Sequence, residues 1–227
     1  METEQEYLQR EQEGLKRRYE DMGKRMQVIF FTIIINIALT VVMTIYAVIA
    51  GVVAGVMKST NLTGVYIGIG VFSVLVIVAT IIFGINLLKM GYYDDALKTA
   101  AILYFINQGI SIVQSFLSDA GFLTAILKIA AAIVSLFYFT NFCSGMENLS
   151  YIADSNVSYN WEKIRKFYVT LVIVMVCSVI GCIIPIIGIL AALVLIVAAI
   201  AMIVVYIWQI VLIYQTMRAM QNYRPRD

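Results

Sequence analysis

Residues 167–217 decide the fold: they read FYVTLVIVMVCSVIGCIIPIIGILAALVLIVAAIAMIVVYIWQIVLIYQTM, 51 residues without a charged side chain. As one helix this segment would measure about 77 Å, more than twice the hydrocarbon thickness of a bilayer. It must therefore fold back once. Gly181, Pro185 and Gly188 mark the turn, because proline is tolerated in the first turn of a new helix. Two membrane spans are predicted here, at about 166–183 and 186–217.

Four further apolar runs precede this segment. Hydrophobic residues make up 62% of the 227-residue chain and charged residues only 13%, whereas a soluble domain has about a quarter charged. The formal net charge of +2 is too small for a nucleic-acid binder. The sequence predicts an all-α, multi-pass membrane protein. We expect it in the plasma or cytoplasmic membrane. Its first four spans are predicted at about 27–57, 64–88, 99–117 and 121–145.

The basic residues predict the orientation of these six spans. Of the sixteen Lys and Arg residues, all but Lys58 and Lys128 fall in the two tails or in the connections after spans two and four. Positive charge collects on the cytosolic side of membrane proteins, so both termini are expected in the cytosol. Two basic ends on one side also require an even number of spans.

The tails are predicted at 1–26 and 218–227, outside the transmembrane domain of 27–217. In the first tail, Leu8, Leu15 and Met22 recur every seven residues, which favours a weakly amphipathic helix. Its bases next to the membrane favour anionic lipid at the cytosolic face. The alternative is a docking helix for a membrane or cytosolic protein partner.

The spacing of the spans predicts three helical hairpins of like orientation. The odd-numbered spans begin near residues 27, 99 and 167, so the unit repeats after about 70 residues. The alternative is that any six-span protein with basic, aromatic borders has this spacing. The longest connection, 147–166, is predicted as a loop with Trp161 at the membrane interface.

Small residues predict where the helices pack, because membrane helices associate through close contact rather than hydrophobic drive. Two glycine pairs spaced four apart surround the first outer turn. They predict a close approach of spans one and two at Gly51, Gly55, Gly64 and Gly68.

Polar residues on these same faces form a candidate intramembrane site. Asn36 lies on the small-residue stripe of span one. Lys128 lies on the small-residue face of span four, with Ser135, and is expected to point at the bundle. It either snorkels to the interface or pairs structurally, or it contacts a substrate, ion or lipid headgroup. Span three adds Asn107, Ser111 and Gln114 within a 40° sector.

The sequence lacks the residues that most enzymes need. Histidine is absent, and the three cysteines have no metal-ligand spacing and no neighbouring base. We therefore predict no catalytic residue, metal or cofactor. The expected function is that of a non-enzymatic accessory, scaffold or immunity-type subunit that acts through lipid, a protein partner or homo-oligomerisation. The alternative is a small permease or channel that uses the polar seam between spans three and four with Lys128.

Overall fold

The computed structural model describes residues 4–57, 63–117, 121–182 and 185–223, and within these ranges it contains six α-helices and no strand. Each helix is long and apolar enough to cross a bilayer. The prediction of an all-α chain with six long apolar helices is confirmed, and these helices suit a multi-pass membrane protein. They are α1 Glu4–Met57, α2 Thr63–Met90, α3 Asp95–Ser115, α4 Phe122–Ala153, α5 Ser155–Gly181 and α6 Pro185–Gln221.

The helices form a closed ring in chain order. Each one packs against the helices before and after it in the sequence, and α6 packs against α1. Helices α4 and α6 also touch across the ring. The two helices of each predicted hairpin pack against each other, but each hairpin also packs against the next. The packing therefore does not divide the bundle into three hairpin units.

The amino-terminal part of α1 lies beside the carboxyl-terminal end of α6. The ring of Tyr19 in α1 stacks on that of Tyr223, just after α6, with centroids 4.1 Å apart. Gln221 donates a hydrogen bond to Gln27 at 3.3 Å. We call this end, with the α2–α3 turn at 91–94 and the α4–α5 turn at Asp154, the charged end. The other is the opposite end.

The tightly packed core lies toward the charged end. Trp161 is fully buried there, and its indole N–H donates to the Thr216 hydroxyl at 2.8 Å. That hydroxyl in turn donates to the Leu212 carbonyl at 2.8 Å, so the buried polar groups are paired. Large, fully buried side chains come from every helix: Met22, Met26, Ile29, Leu87, Leu97, Phe142, Met146, Ile164 and Ile213 among them.

Helix α1 runs through the predicted boundary of the first tail. It is continuous over 54 residues, about 81 Å, and Tyr19, Met22 and Met26 are buried in the bundle core. No helix therefore begins or ends at residue 26, and part of the predicted tail packs in the core. Of the apolar stripe of this segment, Met22 packs in the core, and Tyr19 beside it stacks on Tyr223. Only the first turns, up to about Gly14, project with Tyr7 and Leu8 exposed.

The predicted loop at 147–166 is also wrong, because these residues are helical on both sides of Asp154. The Asp154 carboxylate accepts from the backbone N–H groups of Asn156 at 2.9 Å and Val157 at 3.3 Å, which caps α5. Charged residues show where a helix leaves lipid, but a helix can continue into water. Trp161 accordingly lies in the core and not at an interface.

The fold-back inside the 51-residue apolar segment is confirmed. Helix α5 ends at Gly181 and α6 begins at Pro185. Proline is suited to this position because the N–H group it lacks would have no partner in the first turn of a helix.

Candidate functional site

All six helices line one cavity of about 430 Å³ in the middle of the ring. This volume lies within the usual range for small-molecule sites. Its lining consists of Ile33, Asn36 and Ile37 of α1, Phe83 of α2, Tyr104 and Asn107 of α3, Ser135, Tyr138 and Phe139 of α4, Tyr168 of α5, and Tyr206, Gln209, Ile210 and Ile213 of α6.

The buried core closes the cavity toward the charged end. Phe83, Phe139, Tyr168 and Ile213 line the cavity and also belong to the buried core. Asn36 lies ten residues beyond the buried Met26 along α1, which corresponds to about 15 Å. The cavity therefore lies between the apolar segments of the helices, beyond the core at the charged end.

Two polar atoms of the lining have no partner within the protein. The side-chain oxygens of Asn36 and Asn107 are buried and accept no hydrogen bond. Leaving a buried acceptor unpaired costs about 1–3 kcal/mol. Such groups are rare in folded proteins and suit a site that a ligand or water completes.

Aromatic rings make up much of the remaining wall. The Phe83 and Tyr104 ring centroids are 4.8 Å apart, and those of Tyr104 and Tyr138 are 5.6 Å apart. Phe139 stacks on Tyr168 at 3.9 Å. Rings in mutual contact hold each other in place, so this wall is preformed rather than assembled on binding.

The exposed side chains of α1 and α6 indicate that the cavity opens between these helices toward the opposite end. Near the charged end, facing residues of these helices such as Ile29 and Ile213 are buried. Beyond the cavity, Thr40 and Ala47 on the Asn36 face of α1 are exposed, as is Ala199 on the Tyr206 face of α6. Here α1 keeps its contact with α2 through Tyr46 and Phe72, whose centroids are 6.1 Å apart. The side chains beside the gap, Ile37 and Tyr206, are 43% and 55% exposed.

The structure brings Asn36 and Asn107, two of the predicted site residues, to this cavity. Lys128 is exposed and does not line it, although it shares the Ser135 face of α4, two turns or about 10 Å toward the opposite end. Ser111 is exposed and donates to the Asn107 carbonyl at 3.0 Å. The Gln114 amide nitrogen is buried without a partner, but outside the lining.

Sequence reasoning missed Tyr104, Tyr138 and Tyr168. The sequence could have indicated the first two, because Tyr104 precedes Asn107 by three residues and Tyr138 follows Ser135 by three. Residues three apart share a helix face. Tyr168 had no such signal, because only the packing of α5 against α4 brings it to Phe139.

The glycine contacts predicted between spans one and two stay a prediction. A Cβ atom on Gly51 would meet no described atom within 4 Å. Gly55, Gly64 and Gly68 lie outside the residues whose surroundings are described. A tight approach of two helices occurs at Gly145 of α4, where a Cβ would lie 2.5 Å from Leu97 of α3.

A polar network ties α1 to the α2–α3 turn at the charged end. The Asp21 carboxylate accepts from the Tyr93 hydroxyl at 2.5 Å and pairs with Arg25 at 2.8 Å. The Tyr93 hydrogen bond and then Arg25 lower the pKa of Asp21 below its ordinary value. The Arg18 guanidinium lies over the Tyr93 ring, 5.2 Å from its centroid, and donates to the Tyr93 carbonyl at 3.3 Å.

Asp94 extends this network to α3 and α4. One of its oxygens caps α3 by accepting from the Ala96 N–H at 2.9 Å, and the other accepts from Asn148 at 2.9 Å. The charged end is thereby fixed by side chains from α1, the α2–α3 turn and α4, whereas α1 and α6 have exposed faces toward the opposite end.

The polar groups of the cavity are amides and hydroxyls. Among the described residues its lining has no carboxylate, amine or thiol, and no group of three or more acidic or thiol side chains could hold a metal ion. The fold is a helix bundle with a central cavity, and its six long apolar helices are compatible with a membrane-spanning protein. No family model, curated protein or solved structure matches the chain.

Proposed function

We propose that this chain is a small, non-enzymatic membrane carrier that binds one small molecule in its central cavity. The observation that carries the proposal is the cavity itself, lined by all six helices and containing two buried amide oxygens without partners. A purely structural bundle gains nothing from such a void, because unfilled volume and unpaired polar atoms both destabilise the fold.

The proposed carrier has both termini in the cytosol. Support comes from the basic residues, fourteen of sixteen of which belong to the tails or the connections on one side of the six-span arrangement. In this orientation the ring is closed on the cytosolic side and open between α1 and α6 on the other. That asymmetry suits one state of an alternating-access cycle. Reporter tags on both termini should be found in the cytosol; tags on opposite sides would overturn the topology.

The proposal predicts that water reaches the cavity from one side. In a background with Cys143, Cys177 and Cys182 replaced by alanine, Ser135→Cys introduces a thiol into the lining. The cysteine thiolate attacks a water-soluble methanethiosulfonate reagent, forming a mixed disulfide as methanesulfinate leaves, and the thiolate itself forms only where water reaches the group. We expect Ser135→Cys in proteoliposomes to be labelled from the non-cytosolic side.

The matched control is Ile133→Cys, two residues away on α4 and 51% exposed, but absent from the cavity lining. In lipid its thiol should stay protonated and unlabelled. Equal labelling of both variants, or none of Ser135→Cys from either side, would contradict a water-reached binding cavity.

The scaffold function is a second candidate, favoured by the projecting first turns of α1. Tyr7 is 63% exposed there, outside the bundle core. The test is whether each variant restores the phenotype of a host from which the gene has been deleted. If the segment acts on a partner, the chain without residues 1–14 does not restore it. Ser135→Leu, which fills the cavity, still does. The carrier predicts the reverse for both variants.

A further inference from the structure

We infer that the ligand of the central cavity is a neutral molecule with an apolar, aromatic body and a hydrogen-bond donor such as a phenolic hydroxyl. This inference rests on the proposed carrier function and names its ligand class. Three properties of the lining carry it: the unpaired acceptors, the absence of charge and the aromatic wall.

The unpaired atoms of the lining are acceptors. The side-chain oxygens of Asn36 and Asn107 both lack a donor. A ligand O–H or N–H group supplies what these oxygens lack, whereas a carboxylate or phosphate would set further acceptors against them. These two oxygens therefore favour a ligand with a donor, and the described lining has no basic side chain to offset the cost of desolvating an anion.

The absence of charged lining residues argues against a cation. Moving an ion out of water costs several kcal/mol even after the protein relaxes. A desolvated cation over an aromatic face recovers only about 2 kcal/mol, and no carboxylate of the described lining adds to that. A neutral donor satisfies the same oxygens without this cost.

The walls and the opening favour an apolar, aromatic body. Phe83, Phe139 and four tyrosines surround the space, and aromatic pairs add about 0.5–1.5 kcal/mol beyond the area they bury. The gap between α1 and α6 is bordered by Ile37 and Tyr206, so a molecule dissolved in the bilayer can reach the cavity sideways.

The test is equilibrium binding of tritiated 4-butylphenol to the full chain in lipid nanodiscs, with empty nanodiscs as the blank for partitioning. Three competitors have a similar shape. The first, 4-butylanisole, lacks the donor; 4-butylbenzoate is an anion; and 4-butylbenzylammonium is a cation. We expect the phenol to bind at least about tenfold more tightly than each, as one desolvated hydrogen bond allows.

The Asn36→Leu, Asn107→Leu double variant should bring the phenol-to-anisole ratio close to one. The matched control is Gln114→Leu, which removes a buried, unpaired amide outside the lining and should leave the ratio unchanged. Thermal unfolding of each variant reports whether it folds; if the double variant does not, the wild-type ratios decide.

Failure of this inference is distinguishable from failure of the carrier function. Equal binding of phenol and anisole, tighter binding of either ion, or no binding of any compound would overturn the ligand class. If Ser135→Cys is still labelled in that case, the carrier function stands. If it is not labelled either, both proposals fail.

Discussion

At the scale of single residues, Tyr93 joins the α2–α3 turn to α1. Its hydroxyl donates to Asp21 of α1, its ring lies under Arg18, and its carbonyl accepts from the same arginine. The neighbouring Tyr92 has the same side chain but is largely exposed. Of two adjacent tyrosines in one short turn, one binds α1 and the other is exposed. Their positions in the folded protein, and not their side chains, make this difference.

Tyr93→Phe should destabilise the charged end in a pH-dependent way. The hydrogen bond from Tyr93 lowers the pKa of Asp21, so its stabilisation is present above the ordinary carboxyl pKa of about 3.8 and lost as pH falls through the lowered value. We expect the variant to lose about 1 kcal/mol at pH 7. The difference should shrink below about pH 4.

Thermal unfolding in detergent at pH 7 and pH 3 measures this effect. Tyr92→Phe is the control and should match the wild type at both values. A Tyr93→Phe deficit that is the same at both pH values would mean that the Asp21 carboxylate is not its source.

At the scale of helices, α3 and α4 approach each other most closely at Gly145. The side of Gly145 on which other residues carry a side chain faces Leu97 and the Asp94 carboxylate, which caps α3. The glycine thus lets the capped start of α3 lie directly on α4, and Asn148 one turn later donates to the same Asp94.

Gly145→Ala should push α3 away from α4. The new Cβ would lie 2.5 Å from Leu97 Cγ and 2.9 Å from the Asp94 carboxylate, closer than real Cβ contacts. Overpacking of this kind costs about 1–3 kcal/mol. We expect a clear fall in the unfolding temperature of the purified protein.

Gly109→Ala is the matched control for this prediction. Gly109 is also mid-helix, in α3, but a Cβ there meets no described atom within 4 Å. Alanine should leave the protein as stable as the wild type or slightly more stable, because it lowers the entropy of the unfolded chain. Equal destabilisation by both substitutions would contradict the close approach at Gly145.

At the scale of the whole molecule, packing differs between the two ends of the ring. The charged end combines the buried core with the Asp21 and Asp94 networks and includes α1 from about residue 15 onwards. The opposite end has exposed faces on α1 and α6. A ring closed at one end and open at the other can admit a ligand without losing its fold.

Two truncations test how much of the amino-terminal segment belongs to this ring. Deletion of residues 1–14 removes only projecting turns and should leave the unfolding temperature and a single monodisperse species in detergent unchanged. Deletion of residues 1–23 also removes the buried Tyr19 and Met22, so it should give an unstable or aggregated product. Equal stability of the two truncated chains would show that α1 joins the ring only after residue 23.

The sequence by itself determined the number of helices, the fold-back at Gly181–Pro185 and two site residues, Asn36 and Asn107. These follow from local physics, because bilayer thickness limits helix length and polar residues in lipid must face protein. Hydropathy reports where a helix contacts lipid, however, and not where it ends. Hydropathy therefore could not predict that residues 147–153 and 155–166 are helical.

Tertiary structure alone decided which neighbour each face meets. It packed Tyr19 and Met22 into the core, left Lys128 exposed beyond the cavity, and joined Tyr138 and Tyr168 to Asn36 in one wall. Helical periodicity gives the direction of a side chain about its own axis. The rotation and tilt of the next helix, which come from the packing of the entire ring, decide what that side chain touches.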